Sequence, residues 1–267
     1  MHLIGISGSG IKAQQIAMDV TGNNVANVNT VGFKAKRMNF AETLDQQVPA
    51  LRTVDEEAMY GYGVESTMIG VGVMRNAIGA NFNQGSIITT GRPFDLAIEG
   101  AGFLQILTPD GGIAYTRDGT FSVDAEGWLT DSHGHYVATD AWIDPDAKNV
   151  AVLGNGDIIG DIDGERVLLG RLDLVTFQNA EGLLNIGQNL YAETVNSGVP
   201  WVGEPGTVVG EPNQTLGTLR SGALEQSNVS LANEMTTMIQ IQRAYQLNAR
   251  MVSNGDQMWG IANTIRR

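Results

Sequence analysis

His133 and His135 sit in the run Asp131-Ser132-His133-Gly134-His135, where two imidazoles and a carboxylate fall within reach of one cation. Such a set is the beginning of a zinc-type site, which needs a further ligand to close it. The chain has three histidines and no cysteine, so no such ligand is in view. A hairpin turn is the simpler reading of the run. A second candidate is Asn155, Asp157, Asp161, Asp163 and Glu165, an alternation of oxygen ligands of the kind that calcium loops use. The glycine and distal glutamate of an EF-hand are not at the required offsets. Carboxylate pairs for acid–base work are conceivable in so acidic a chain, but spacing singles out none of them. No Gly-x-Ser-x-Gly elbow or phosphate loop occurs, and Gly100-Ala101-Gly102 lacks the strand-to-helix setting of a dinucleotide site. The residues make no positive case for an enzyme, and they imply no catalytic residue, cofactor or metal.

The elements that would have to position these side chains are β-strands. From Asp95 to about Thr194, β-prone runs such as Phe103-Leu104-Gln105-Ile106-Leu107 and Ile113-Ala114-Tyr115-Thr116-Arg117 alternate with Pro109-Asp110-Gly111, Asp118-Gly119, Glu126-Gly127, Asn155-Gly156 and Asp163-Gly164. Turns at such intervals predict antiparallel hairpins in an all-β domain over 86–195. Residues 46–85, with Tyr60-Gly61-Tyr62-Gly63 and Ile69-Gly70-Val71-Gly72-Val73, and residues 196–227 read as extended arms. The first is too long for an idle loop and is expected to contact other subunits.

The ends have a different character. All seven prolines lie between Pro49 and Pro212, and residues 1–45 and 228–267 read as long helices. Ile4, Ile11, Met18 and Val20 belong to an apolar surface that spreads over more than half of the first helix, leaving a polar stripe at Lys12, Gln15, Asp19 and Asn23. The asparagines of Asn23-Asn24-Val25-Ala26-Asn27-Val28-Asn29-Thr30 compete for backbone hydrogen bonds, and Gly32 can take positive φ, so the helix is expected to stop there. In the last helix Leu231, Met235, Met238, Gln242, Tyr245, Ala249, Val252, Asp256 and Trp259 form one seam of heptad spacing. Ala244, Leu247, Met251, Asn254, Met258, Ile261 and Ile265 form a second. Two seams imply partners on two sides; the competing reading is a pair of helices closing an ordinary internal bundle. Ser227, Asn228 and Ser230 are candidate N-caps.

Charge separates the ends from the middle. Lys12, Lys34, Lys36 and Arg37 against Asp19, Glu42 and Asp45 leave +1 on residues 1–45, and four arginines against Glu234 and Asp256 leave +2 on residues 228–267. The net charge is −13, so the middle carries −16, which disfavours nucleic acid and anionic membrane as partners. No run approaches the roughly 18 apolar residues of a membrane span, so direct membrane insertion is not expected. Met1 to Gly10 has no basic start, so export, if it occurs, is expected to use no cleaved leader.

These residues carry a resemblance to the rod and hook protein family of the bacterial flagellum, and within it to the distal-rod branch. The N-terminal matches are Ala13-Gln14-Gln15, Asp19-Val20, Asn23 to Thr30 and Gly32-Phe33-Lys34. In the middle they are Asp95-Leu96-Ala97-Ile98-Glu99-Gly100, Gly102-Phe103 and Tyr115-Thr116-Arg117-Asp118-Gly119. At the C-terminus they are Ser227-Asn228-Val229, Glu234-Met235, Met238-Ile239, Gln242-Arg243-Ala244-Tyr245, Asn248 and Asp256-Gln257-Met258. Val25 departs from the leucine usual in the family. The resemblance implies an α+β fold with paired, coiled-coil-like terminal helices, extended β arms and an outer β domain. It implies self-assembly into a helical tube around an export channel, transmission of torque to the hook, and a place in the basal body. Expected partners are copies of the chain, proximal-rod and hook proteins, bushing-ring proteins and the flagellar export apparatus. The expected assembly interface comprises Ile4, Ile11, Gln14, Gln15, Met18, Val20, Asn23, Asn24, Asn27, Asn29, Gly32 and Phe33, with Leu231, Met235, Met238, Gln242, Ala244, Tyr245, Leu247, Met251, Val252, Met258 and Trp259. A secreted calcium-dependent β-domain binder, or a proximal-rod or hook relative, are the alternatives.

Overall fold

A computed structural model of the chain describes residues 2–43, 46–48, 67–69, 72–145, 147–210 and 213–265. The class is α+β: helix α1 (His2–Ala26) and helix α2 (Leu231–Ile265) occupy the two ends, and strands fill most of the described chain between them. Two compact units result, one of Met1–Asn23, Arg37–Ile78 and Ala232–Arg267, the other of Asn24–Lys36 and Gly79–Leu231.

In the first unit, α1 contains Gly5, Gly8, Gly10 and Gly22, each costing about 1 kcal/mol of helix propensity relative to alanine, so packing must hold it. That packing falls on small residues: Ser7, Ala13, Ala17 and Thr21 are buried along one line. Lys12, Gln15, Asp19 and Asn23 face outward, as the polar stripe predicts. At Gly10 the two helices meet, since a Cβ there would lie 2.8 Å from Asn248 Nδ2. Ser9 Oγ donates to Ile6 O (2.8 Å) and accepts from Val73 N (3.3 Å), fixing the strand Val73–Ala80 beside α1. That strand pairs with Lys36–Glu42, and Gln46–Val48 pairs antiparallel with Thr67–Ile69. The helical reading of 1–45 is therefore corrected to 2–26; Lys36–Glu42 is a strand because its half-buried and exposed positions mostly alternate and it finds a ladder partner. The Tyr60-Gly61-Tyr62-Gly63 run and most of the expected arm around it lie outside the described residues.

In the second unit a seven-stranded antiparallel sheet runs in the order Leu184–Gly187, Leu190–Ala192, Ile113–Thr116, Leu104–Leu107, Tyr136–Val137, Leu129–Thr130, Ser122–Val123. Lys148–Val152, Asp157–Ile162 and Glu165–Arg171 make a three-stranded meander. The hairpins fall where the turn dipeptides place them. One core gathers Leu96, Ile98, Leu104, Ile106, Ile158, Leu174 and Leu216, all nearly sealed from solvent. A second is aromatic, with Phe103, Tyr115, Phe177 and Tyr191 in edge contacts at ring separations of 4.8–6.2 Å.

Residues 196–227, expected to be a linking arm, instead complete this unit. Thr218–Ser221 pairs with Leu96–Glu99, Ala223–Glu225 with Ile87–Thr89, and Trp201–Gly203 with Leu174–Thr176. The physical reason is ladder pairing across a long sequence gap, which local composition does not reveal.

Candidate assembly interface

Within the second unit, residues 24–36 and 225–229 are held together at one place, and asparagine side chains do much of the holding. The last helical turn of α1 releases into turns in which Asn27 N donates to Asn24 O and Thr30 N to Asn27 O. Asn24, buried, then mimics a strand partner: its Nδ2 donates to Lys36 O and its Oδ1 accepts from Lys36 N, both at 2.9 Å. Gly32 follows at φ +67°, where a Cβ would lie 2.8 Å from the Asp118 backbone, so only glycine fits. Asn228 does the same work from the other end, accepting from Ala35 N and donating to Asn81 O and Asn83 O, each at 2.8 Å. Its side chain is thereby committed to this junction. Phe33, Ala35 and Val229 close over these bonds as a small buried apolar cluster.

Beneath that cluster lies a charged group that spacing does not reveal. Lys34 Nζ donates to Glu225 Oε1 (2.6 Å) and to Asn83 O (3.0 Å), and Gly85 N donates to the same carboxylate oxygen (2.7 Å). Arg117 Nη1 reaches Glu225 Oε2 (3.3 Å), while its Nε and Nη2 donate to Gly102 O and Gly100 O and its guanidinium lies 5.4 Å from the Phe103 ring centre. All three charged side chains are at most 3% exposed. Burial pushes the Lys34 ammonium down to about 8, and the neighbouring Arg117 charge adds to that, against the pull of Glu225. Burial likewise lowers Arg117. Gly32-Phe33-Lys34 and Tyr115 to Gly119 stand in the sequence as separate runs; Glu225, which joins them, has no local signal.

The helix residues of the expected interface divide by exposure. Ile4, Ile11, Gln14, Met18 and Val20 are half-buried on α1, Gln15 and Asn23 are exposed, and in the turn after it Asn27 is half-buried and Asn29 exposed. On α2, Met238, Ala244, Tyr245 and Val252 are half-buried, whereas Leu231, Met235, Gln242 and Trp259 are exposed. The covered row of α2 runs Met238, Ile241, Tyr245, Asn248, Val252, Gly255, so it coincides with the first seam at every second position and is turned by one residue between. The second seam is open: Leu247, Met251, Met258 and Ile261 are 49–68% exposed. A single chain rarely displays such a row without a use for it.

The candidate chemistry does not assemble. Asp157 is bound by Arg171 Nε (2.7 Å) and Asn155, and Asp161 by Asn149. His135 Nδ1 lies 3.0 Å from Asp131 Oδ2, a contact that closes the hairpin. Among the described residues, no three metal-ligating side chains converge.

Comparison with known proteins matches the chain in three stretches. Residues 4–34 match the flagella basal body rod protein model, 97–160 the flagellar hook protein FlgE/F/G D1 domain, and 220–265 the flagellar basal body rod FlgEFG protein C-terminal model. The flagellar basal-body rod protein FlgG of Buchnera aphidicola from Acyrthosiphon pisum is 39% identical over 260 residues, 95% of each chain. FlgG of Borreliella burgdorferi is 38% identical over 272 residues, 100% of this chain and 99% of its own. FlgG of Bacillus subtilis is 38% identical over 256 residues, 94% and 93%. The chain belongs to the flagellar basal-body rod family. Lys34, Arg117 and Glu225 fall one in each of the three matched stretches, so the buried charged group ties together the parts by which the family is recognised. Among the described residues, no helix is long and apolar enough to cross a membrane.

Proposed function

We propose that this chain is a structural subunit of the flagellar distal rod, without enzymatic activity, that assembles with its own copies into a helical tube and carries motor torque to the hook. The observation that carries this reading is the open row Leu247, Met251, Met258 and Ile261 on α2 of a chain related to rod proteins over nearly its whole length. Burying one such side chain contributes roughly 1.5–3 kcal/mol, and a row of them offsets the cost of association only when several neighbours cover it. A head-to-tail contact of this kind does not close on itself and grows a filament.

In this proposal the terminal regions 1–45 and 228–267 form the inner tube around an export channel, with α1 and α2 paired as a coiled coil; the approach of Gly10 to Asn248 supports the pairing. The interface uses the residues expected from sequence on both helices. The acidic β unit faces outward, toward bushing-ring proteins where these exist. Proximal-rod and hook proteins meet the two ends of the tube, and the flagellar export apparatus delivers the chain, without a cleaved leader, to the periplasmic part of the basal body. Residues 46–85 contact neighbouring subunits.

Electron microscopy of concentrated full-length protein, beside protein lacking residues 228–267, tests the reading. Tubes that vanish on truncation are the expected result. Identical particles from both proteins, with no tubes from either, contradict it.

A further inference from the structure

We infer that Glu225 is a positioning residue for assembly: it fixes the direction in which both terminal segments leave the β unit, and so governs the order of the tube rather than only the stability of the subunit. The inference rests on the rod-subunit reading. Its basis is convergence. One Glu225 side chain accepts from Lys34 Nζ, Gly85 N and Arg117 Nη1, while the Glu225 backbone carbonyl accepts from Gly32 N at 2.8 Å. The N-terminal segment, the segment before strand Ile87–Thr89 and the hairpin carrying Arg117 are thus indexed to a single residue. Immediately beyond it Gln226 N donates to Ser86 O, Asn228 holds Ala35, and α2 begins at Leu231.

Charge here is a poor means of gaining stability, because desolvating three ions offsets most of their attraction, and well-packed apolar side chains would serve as well. What the ions and their carbonyl acceptors add is direction: a hydrogen bond is satisfied only over a narrow range of distance and angle, where an apolar contact tolerates sliding. Direction matters because of lever length. A helix of 35 residues is about 52 Å long, so a change of about 10° at its first turn displaces the far end by about 9 Å, nearly a helix diameter.

The test compares three full-length variants with the parent by thermal melting and by electron microscopy of concentrated protein. Glu225→Gln leaves both Lys34 and Arg117 without a counter-charge; Lys34→Met combined with Glu225→Gln removes one of these two stranded charges, keeps a single amide oxygen as acceptor for Gly85 N, and is expected to recover part of the lost melting temperature. Leu174→Ala, in the β core away from the junction, supplies a control destabilised by a cavity. The expected result is that both Glu225 variants form short or irregular tubes, while Leu174→Ala forms tubes of parental diameter at matched distance below its own melting temperature. Parental tubes from the double variant overturn the inference, and so does equal disorder in Leu174→Ala, which would assign the effect to stability. Failure of the parent to form tubes counts against the rod reading itself, separately from any difference among variants.

Discussion

Lys34 and Glu225, separated by 191 positions in the chain, form an ion pair of 2.6 Å whose side chains are 0% and 1% exposed. Two properties of the junction around that pair can be measured without any assembly.

The first is a dependence on alkaline pH. Burial holds Lys34 at about 8 in the folded chain against 10.5 when unfolded. Below about 8 both states keep the proton, and the folded state bears the full cost of a buried cation. Between 8 and 10.5 the folded state has released its proton while the unfolded state retains it, so this residue's contribution to stability rises with pH and is complete above 10.5. The gain is about 3 kcal/mol at roughly 1.4 kcal/mol per pH unit. Urea unfolding of the parent and of Lys34→Met across this range should show the rise only in the parent; parallel curves refute the assignment.

Asn24 gives the second local prediction. Its amide satisfies both the N–H and the C=O of Lys36. Asn24→Ala leaves two backbone groups without partners and should cost about 1–3 kcal/mol. Hydrogen exchange at the Lys36 amide should accelerate while the core strand Leu104–Leu107 stays protected in proportion to global stability. Unchanged exchange at Lys36 would show that the bond is not maintained in solution.

Met251 tests the open row. It is 49% exposed, so Met251→Glu should change the melting of the dilute chain by less than about 0.5 kcal/mol. The same substitution puts an unpaired carboxylate into the proposed interface, and tube formation should be lost, by electron microscopy and by sedimentation. Tubes that form at the parental concentration would remove this row from the interface.

The β region expected from sequence should not fold when excised. Residues 86–195 contain Leu96–Glu99, Ile87–Thr89 and Leu174–Thr176 but none of their ladder partners at 218–221, 223–225 and 201–203. Near-ultraviolet circular dichroism of the fragment should lack the signal of fixed aromatic packing; a cooperative melt would show that those ladders are dispensable.

What was legible in the sequence was local. The asparagine run stops α1 at Ala26, Gly32 takes the left-handed φ it was expected to take, and Lys12, Gln15, Asp19 and Asn23 form the exposed stripe. The hairpin between Leu104–Leu107 and Ile113–Thr116 turns where Pro109-Asp110-Gly111 places it. What was not legible depends on distant partners. Lys36–Glu42 became a strand through its ladder with Val73–Ala80, and residues 218–225 joined the β unit through strands more than a hundred positions earlier. The covered row of α2 includes Asn248 and Gly255, positions that an apolar count passes over; Asn248 is covered because it lies against Gly10. Glu225 left no trace at all: one glutamate after Ala223-Leu224 looks like any strand residue until Lys34 and Arg117 are placed beside it.

The pairing of Leu96–Glu99 with Thr218–Ser221 also sets a clock. About 120 residues separate the partners, and at roughly 5–20 residues per second a ribosome takes about 6–24 seconds to supply the second after the first. Throughout that interval the earlier strand has an open edge, as does Ile87–Thr89, and neither can be satisfied by anything yet made. The region waiting is the one that carries −16, and mutual repulsion between nascent copies discourages them from pairing with each other instead. The second unit thus stays incomplete until the last fifth of the chain exists.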